Sequence, residues 1–123
     1  MTTPFRDQEK FMKACDQTVG ELNPDQFKLY LKLINEESNE LITAVEQGNR
    51  VETLDALLDL IVVTIGAIHS LGVDGEGGWK EVMGTNFAKI DKETGKVRKR
   101  EDGKVLKPAG WVAPDLKPFV EKK

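Results

Sequence analysis

Two long stretches of helical periodicity, separated only by the turn Gly48-Asn49, most constrain what this chain can fold into. Before the first stretch, Asn23-Pro24 is typical of a helix start, and the apolar positions that follow predict a helix over 24–47. The second stretch predicts a helix over 51–71. Because its segment 56–68 is apolar on nearly every side, we expect this helix to be the most buried.

Two shorter helices are predicted on either side of this pair. Pro4 followed by apolar residues at helical spacing predicts a first helix over 4–17, and a similar pattern predicts a fourth over 77–91. From Lys92 onward, prolines rule out a long helix, and the turn dipeptide Asp102-Gly103 allows a small β-hairpin over 96–107.

These elements predict an all-α fold resembling a four-helix bundle, with short antiparallel connections. A chain of 123 residues suits one domain. We expect a single domain over 1–123, made of a helical core (4–91) and a basic, irregular tail (92–123).

Composition indicates a globular protein, with 39% hydrophobic and 32% charged residues. The single Cys15 cannot form an internal disulfide, and the first ten residues lack the apolar core of a secretory signal. The most apolar run, 56–68, is shorter than the roughly 20 residues that span a bilayer, and it contains Asp59. We therefore expect a cytoplasmic protein that does not bind membranes.

The net charge of −3 hides an asymmetry along the chain. Residues 1–91 carry 8 basic and 16 acidic side chains, whereas residues 92–123 carry 10 basic and 5 acidic ones. The positive tail suits nucleic acid, a phosphate-bearing small molecule, or simple solvation, and the charge count does not separate these three.

Acidic side chains interrupt the apolar faces of both long helices. Glu36, Glu37 and Glu40 project together from the second helix, and Glu37 falls on its apolar row. On the third helix, Asp55 and Asp59 lie four residues apart on one face. Burying unpaired carboxylates side by side is costly, so a positive charge must offset them.

That positive charge cannot come from nearby basic residues, because Arg50, in the turn, is the only Lys or Arg between residues 33 and 71. Carboxylate oxygens are hard ligands that suit Mg²⁺ or Mn²⁺, and two packed helices can bring them together. The pattern favours an all-oxygen metal site between the second and third helices. The alternatives are a solvated acidic face and, for Asp59, a hydrogen-bond acceptor between helices.

The segment "EESNEL" (36–41), followed by "DALLDLI" (55–61), resembles the EExxE and ExxD motifs of the MazG-like, all-α nucleoside triphosphate pyrophosphohydrolases. The resemblance extends through "FMKACDQ", "TNFAKI" and "DGKVLKPAGWVAPDL", and it is closest to compact members encoded by bacteriophages. One position departs from the pattern. The glutamate of ExxD would fall at Ala56, and the nearest acid is Asp55.

This resemblance implies hydrolysis of a (deoxy)nucleoside triphosphate to the monophosphate and pyrophosphate, with two or three Mg²⁺ or Mn²⁺ ions at each site. It implies that Glu36, Glu37, Glu40 and Asp59 bind metal, with Asp55 in place of the missing glutamate. Glu37 is expected to be the catalytic base as well, since it lies between the other two glutamates.

The resemblance also implies substrate contacts outside the acidic cluster. Asn86 and Lys89 share one face of the fourth helix and are expected to face the phosphates. Gln17 is expected at the base, and Lys92 is a weaker candidate for the phosphates. Relatives are commonly dimers or tetramers, so a homo-oligomer is expected.

Two functions follow from the sequence. The first is a metal-dependent dNTP pyrophosphohydrolase, with dGTP among the plausible substrates. The second is a helical interaction module with no enzymatic activity, whose basic tail binds nucleic acid or an acidic partner.

Overall fold

The structure is a computed structural model that describes residues 2–121, and it is helical. Its elements are α1 (Pro4–Ala14), α2 (Pro24–Glu46), α3 (Arg50–Ser70), α4 (Gly75–Phe87) and the single-turn α5 (Lys117–Val120). No strand occurs within residues 2–121. The all-α prediction is therefore confirmed.

Both long helices begin at asparagine caps. The side chain of Asn23 accepts a hydrogen bond from the backbone N–H of Gln26, and that of Asn49 accepts one from the N–H of Glu52. Between them, Gly48 takes a φ of +65°, a left-handed conformation that glycine adopts without steric cost. This short turn makes α2 and α3 an antiparallel pair, as the sequence predicts.

The chain divides into two compact units, one ending at Gly75 and the other beginning at Glu76. This division falls inside α4 and not at residue 92, where the sequence suggested the core would end. The single domain stays a prediction.

In the first unit, α2 packs along α3, and α1 packs against α3. The buried centre contains Met12, Tyr30, Val63 and Ala67. Partly buried residues of α2, α3 and the loop before α2 surround it, namely Val19, Phe27, Leu33, Ile34 and Leu60.

The prediction that α3 is the most buried helix holds for only part of its surface. Seven of its residues, from Ala56 to Ser70, are buried. Another stripe is bare, however, because no described element of this unit covers it. It contains Leu54, Leu57, Leu58, Ile61 and Val62, which we call the α3 stripe, and their exposures range from 40% to 59%.

The second unit contains most of α4 and an irregular tail. The tail carries two isolated antiparallel bridges, Ile90 with Val97 and Lys99 with Val105. A tight turn accompanies the second bridge, where Arg100 N–H donates to the Lys104 carbonyl over 2.8 Å. The predicted hairpin at 96–107 is thus present as a bridged turn without regular strands. Within residues 2–121, no single helix is long and apolar enough to cross a bilayer.

Candidate active site

The candidate site is built around Glu37, on the face of α2 that packs toward α3. The side chain is partly exposed as a whole, but its Oε2 atom is buried and has no hydrogen-bond partner within the described chain. A buried oxygen without a partner costs roughly 1–3 kcal/mol, and more when it is charged. Glu37 is therefore the most strained polar group of the acidic cluster.

Burial raises the pKa of the Glu37 carboxyl above its ordinary value. The Glu40 carboxyl, one turn along α2, raises it further through hydrogen bonding and through like charge. Repulsion from Asp59 and then Asp55, both on α3, adds to the effect. Glu37 thus feels carboxylates from both helices, which is the arrangement expected from the sequence.

The remaining four acids surround Glu37 at different depths. Asp59 is half-buried, whereas Glu36, Glu40 and Asp55 are exposed. None of the five has a Lys or Arg partner within 4 Å in the part of the chain that is described. No three acidic, histidine or cysteine side chains within residues 2–121 converge closely enough to enclose one metal ion as they stand.

A cleft of about 410 Å³ opens between α2 and α3, and Glu37 does not itself line it. Glu40 and Asp55 line it from opposite helices. Its other lining residues are mostly polar, namely Asn39, Thr43, Ala44, Gln47, Glu52 and Ala56. The cleft is large enough for a small polar ligand.

Glu52 is a lining residue that the sequence analysis missed. It lies at the mouth of the cleft, three residues before Asp55. The signal was present, since Glu52-Thr53-Leu54-Asp55 itself has the ExxD spacing that was sought one turn later, at Ala56. Ala56 is buried beneath the cleft.

Gln17 is half-buried in the first unit and does not line the acidic cleft. Its Oε1 accepts a hydrogen bond from the hydroxyl of Tyr30 over 2.5 Å. Tyr30 is 4% exposed, and burial raises the pKa of its hydroxyl, although Gln17 and then Gln8 partly offset this by hydrogen bonding. Gln17 therefore has a structural partner whatever else it contacts.

Asn86, Lys89 and Lys92 belong to the second unit. Lys89 Nζ donates to Asn86 Oδ1 over 3.1 Å, so these two side chains share one face. Lys92 is exposed. Trp111 is held by a hydrogen bond from its indole N–H to the Thr85 carbonyl, whereas Trp79 is 59% exposed.

Two observations on the residues of the acidic cluster indicate that it suits a divalent cation. Its donors are carboxylate oxygens from two helices, which is the chemistry that Mg²⁺ and Mn²⁺ prefer. Glu37 Oε2, buried and without a partner in the described chain, is an oxygen for which a cation would compensate. To bind one cation, these side chains would have to move modestly, because no three acids of the described chain converge closely enough to coordinate it at present.

The fold and the acidic cluster define an all-α protein with a candidate cation site between two long helices. A family model described as phosphoribosyl-ATP pyrophosphohydrolase matches residues 7–86, which include α2 and α3 entire. The chain belongs to this family of MazG-like, all-α pyrophosphohydrolases, so the resemblance drawn from its motifs is confirmed. Lys89 and Lys92 lie beyond the matched residues.

The chain is also similar to the uncharacterized protein L479 of Acanthamoeba polyphaga mimivirus. The two are 33% identical over 72 residues, which is 57% of this chain and 29% of the viral protein. The chain therefore spans less than a third of that relative.

Proposed function

We propose that this protein is a metal-dependent nucleoside triphosphate pyrophosphohydrolase that converts a dNTP and water to a dNMP and pyrophosphate. Family membership supports nucleotide pyrophosphohydrolysis in general. The single observation that carries the proposal is the buried, unpartnered Oε2 of Glu37 among carboxylates of two helices. A cluster with so little compensating charge suits a site that is completed by cations and a phosphate substrate.

In this proposal, Glu37 is the general base. A water oxygen attacks the α-phosphorus, the bond from that phosphorus to the bridging oxygen breaks, and pyrophosphate leaves. Glu37 accepts the proton that the water loses. Only the ionised carboxylate can accept this proton. The acids around Glu37 raise its pKa, so they are part of the mechanism because they affect how much of Glu37 is ionised.

Glu36, Glu37, Glu40, Asp55 and Asp59 are the residues proposed to hold two or three Mg²⁺ or Mn²⁺ ions. Bound cations would supply positive charge against the phosphate oxygens and make the attacking water more acidic. Their charge would also favour ionised Glu37, because opposite charge lowers a carboxyl pKa. Glu52 joins this set through its place in the cleft.

Asn86, Lys89 and Lys92 are proposed to contact the substrate phosphates, and Gln17 the base. For Lys89, the hydrogen bond to Asn86 supports the proposal, because it fixes the direction of an otherwise flexible ammonium group. The proposed substrate is dGTP or another dNTP. The family description adds phosphoribosyl-ATP, an adenine nucleotide, to the substrates worth testing.

The bare α3 stripe supports a homo-oligomer. Five large apolar side chains on one helix form a patch of the kind that marks a protein interface. A dimer or tetramer would bury them against a second copy. Cytoplasmic location and bacteriophage origin stay predictions.

The experiment is a panel assay of pyrophosphate release with each dNTP, each NTP and phosphoribosyl-ATP, in the presence of Mg²⁺ or Mn²⁺. We expect turnover of at least one triphosphate, and a loss of about a hundredfold or more in Glu37→Gln. Glu46→Gln is the matched control, because Glu46 is an exposed acid of α2 that neither lines the cleft nor acts on the Glu37 carboxyl. Absence of turnover across the panel would favour the helical interaction module.

A further inference from the structure

The second unit contains two lysines gathered on one tryptophan. Lys89 Nζ, from the segment after α4, lies 4.9 Å from the centre of the Trp111 ring. Lys107 Nζ, from the tail, lies 4.9 Å from the same ring centre. The two ammonium groups are therefore no farther apart than twice that distance, although they are 18 residues apart in sequence.

This arrangement is fixed at several points. The indole N–H of Trp111 donates to the Thr85 carbonyl over 2.7 Å, which anchors the ring to α4. Asn86 Oδ1 accepts from Lys89 Nζ over 3.1 Å, which sets the direction of that ammonium group. The sequence places Lys107 four residues before the anchored ring.

Positive charge at this site is left uncompensated. Neither Lys89 nor Lys107 has a carboxylate within 4 Å among residues 2–121. The indole face attracts a cation, but it carries no net charge and does not neutralise two. Two like charges closer than about 10 Å, the Debye length at 0.1 M salt, still repel each other in solution.

A ligand could reach this site from a neighbouring cleft of about 570 Å³. Trp111 and Pro108 line the cleft on the tail side, and Glu81, Gly84, Thr85 and Ala88 line it on the α4 side. Glu81 is the charged residue of this lining, and its Oε2 accepts a hydrogen bond from the Asp115 N–H over 2.8 Å. Small side chains at three of these positions leave the flank of the indole open. The volume lies in the range of small-molecule sites.

We propose that Lys89 and Lys107, assembled on Trp111, form a binding pair for an oligophosphate group. An oligophosphate carries several negative charges on adjacent phosphorus centres, so one group can engage both ammonium ions and relieve their repulsion. The proposal rests on the proposed function for the source of the phosphate, which is either the triphosphate of the nucleotide or the released pyrophosphate. Its new elements are Lys107 and the organising ring of Trp111.

Binding can be measured without catalysis, with inorganic triphosphate as the probe and EDTA present. Trp79→Phe leaves Trp111 as the only tryptophan, since the chain has two, and Trp79 is 59% exposed and so replaceable. In this background, Trp111 fluorescence should change saturably with triphosphate. Lys107→Gln and Lys89→Gln should each raise the Kd about tenfold, the loss expected for one charge-assisted hydrogen bond.

Lys99→Gln is the matched control, because it removes the same charge from an exposed position of the tail hairpin. It should change the Kd by no more than about twofold. Lys107→Arg should retain binding, since it keeps the charge. The proposal is overturned if Lys107→Gln binds as tightly as Lys99→Gln, even if Lys107→Gln melts at a lower temperature, because the lysines would then only hold the tail in place.

Steady-state kinetics identify the source of the phosphate. A raised KM for the nucleotide with kcat retained in Lys107→Gln would support the substrate triphosphate as the ligand. Weaker inhibition by pyrophosphate with KM retained would support the product. Triphosphate binding without hydrolysis by the wild type would defeat the proposed function alone, whereas hydrolysis with KM and inhibition both unchanged in Lys107→Gln would defeat the lysine pair alone.

Discussion

The Glu40 carboxyl lies one helical turn from Glu37 and, after burial, is the main cause of the raised pKa of Glu37. Like charges at this spacing repel, and one oxygen of the Glu37 carboxyl, Oε2, is also buried without a hydrogen-bond partner in the described chain. The pair of carboxylates therefore lowers the stability of the folded state, and only ligand binding or protonation can relieve this effect. This gives the first prediction.

In the absence of divalent ions, Glu37→Gln should be more stable than the wild type at neutral pH. Because the folded pKa of Glu37 is raised, its favourable contribution is fully present below the unfolded value of 4.5 and is lost as pH rises through the folded value. The gain should therefore appear at about pH 7.5 and vanish near pH 4. Thermal unfolding in EDTA at both values measures it.

Glu46→Gln is the control for this stability change, since it removes an equal charge from an exposed position of α2. It should shift the melting temperature little at either pH. A wild type more stable than Glu37→Gln in EDTA at neutral pH would show that Glu37 is not under the strain described.

Divalent cations should reverse this order of stability. Binding to the folded state alone stabilises by about 2.7 kcal/mol when the free ion is at a hundred times its Kd. We expect Mn²⁺ or Mg²⁺ to raise the melting temperature of the wild type by several degrees and that of Glu37→Gln by much less. Ca²⁺ at equal concentration is the control for ionic strength and ion size. If Mn²⁺ or Mg²⁺ raised the melting temperatures of both proteins equally, that result would count against an ion held by Glu37.

The helices of this protein could be predicted because their signals are local. Asn23 is the cap that the sequence predicted. Asn49 was predicted only as part of a turn, and it caps α3, which begins one residue earlier than the predicted start at Val51. The first helix ends at Ala14 and not at residue 17, since Asp16 takes a φ of +59° and Gln17 then bonds to Tyr30. That ending depends on a partner 13 residues away, which no local pattern reveals.

The candidate site could be predicted only in part, for a related reason. Helical spacing correctly identified Glu37 as the acid that faces inward. Glu52 and Asp55 do have the ExxD spacing, but spacing does not show that Glu52 reaches the cleft. The gathering of Lys89 and Lys107 on Trp111 joins segments without periodicity, and only the folded tail brings them together.

A third prediction concerns the contact of Gly66 with Tyr30, which lets α3 approach α2. A Cβ at Gly66 would lie 2.2 Å from a carbon of the Tyr30 ring, which is too close for two non-bonded carbon atoms. Gly66→Ala should therefore destabilise the protein by about 1–3 kcal/mol through overpacking. Chemical denaturation measures the loss.

Gly84→Ala is the matched control for that change. Gly84 lies within α4, and a Cβ there would have no neighbour within 4 Å. Alanine is favoured over glycine inside a helix by roughly 0.5–1 kcal/mol, so this variant should be slightly more stable. If both variants shifted stability in the same direction, close packing at Gly66 would not be the cause.

The last prediction concerns the α3 stripe. Leu58 is 52% exposed, near the middle of the stripe, and a second copy packed there would bury it. Leu58→Glu should then dissociate the oligomer, because a carboxylate buried at an apolar interface without a partner costs several kcal/mol. Light scattering coupled to size exclusion would report the monomer mass.

Val112→Glu, at a tail residue that is 76% exposed, introduces the same charge away from the stripe and should leave the assembly intact. A wild type that is already monomeric at high micromolar concentration would mean that the stripe is covered by something other than a second copy.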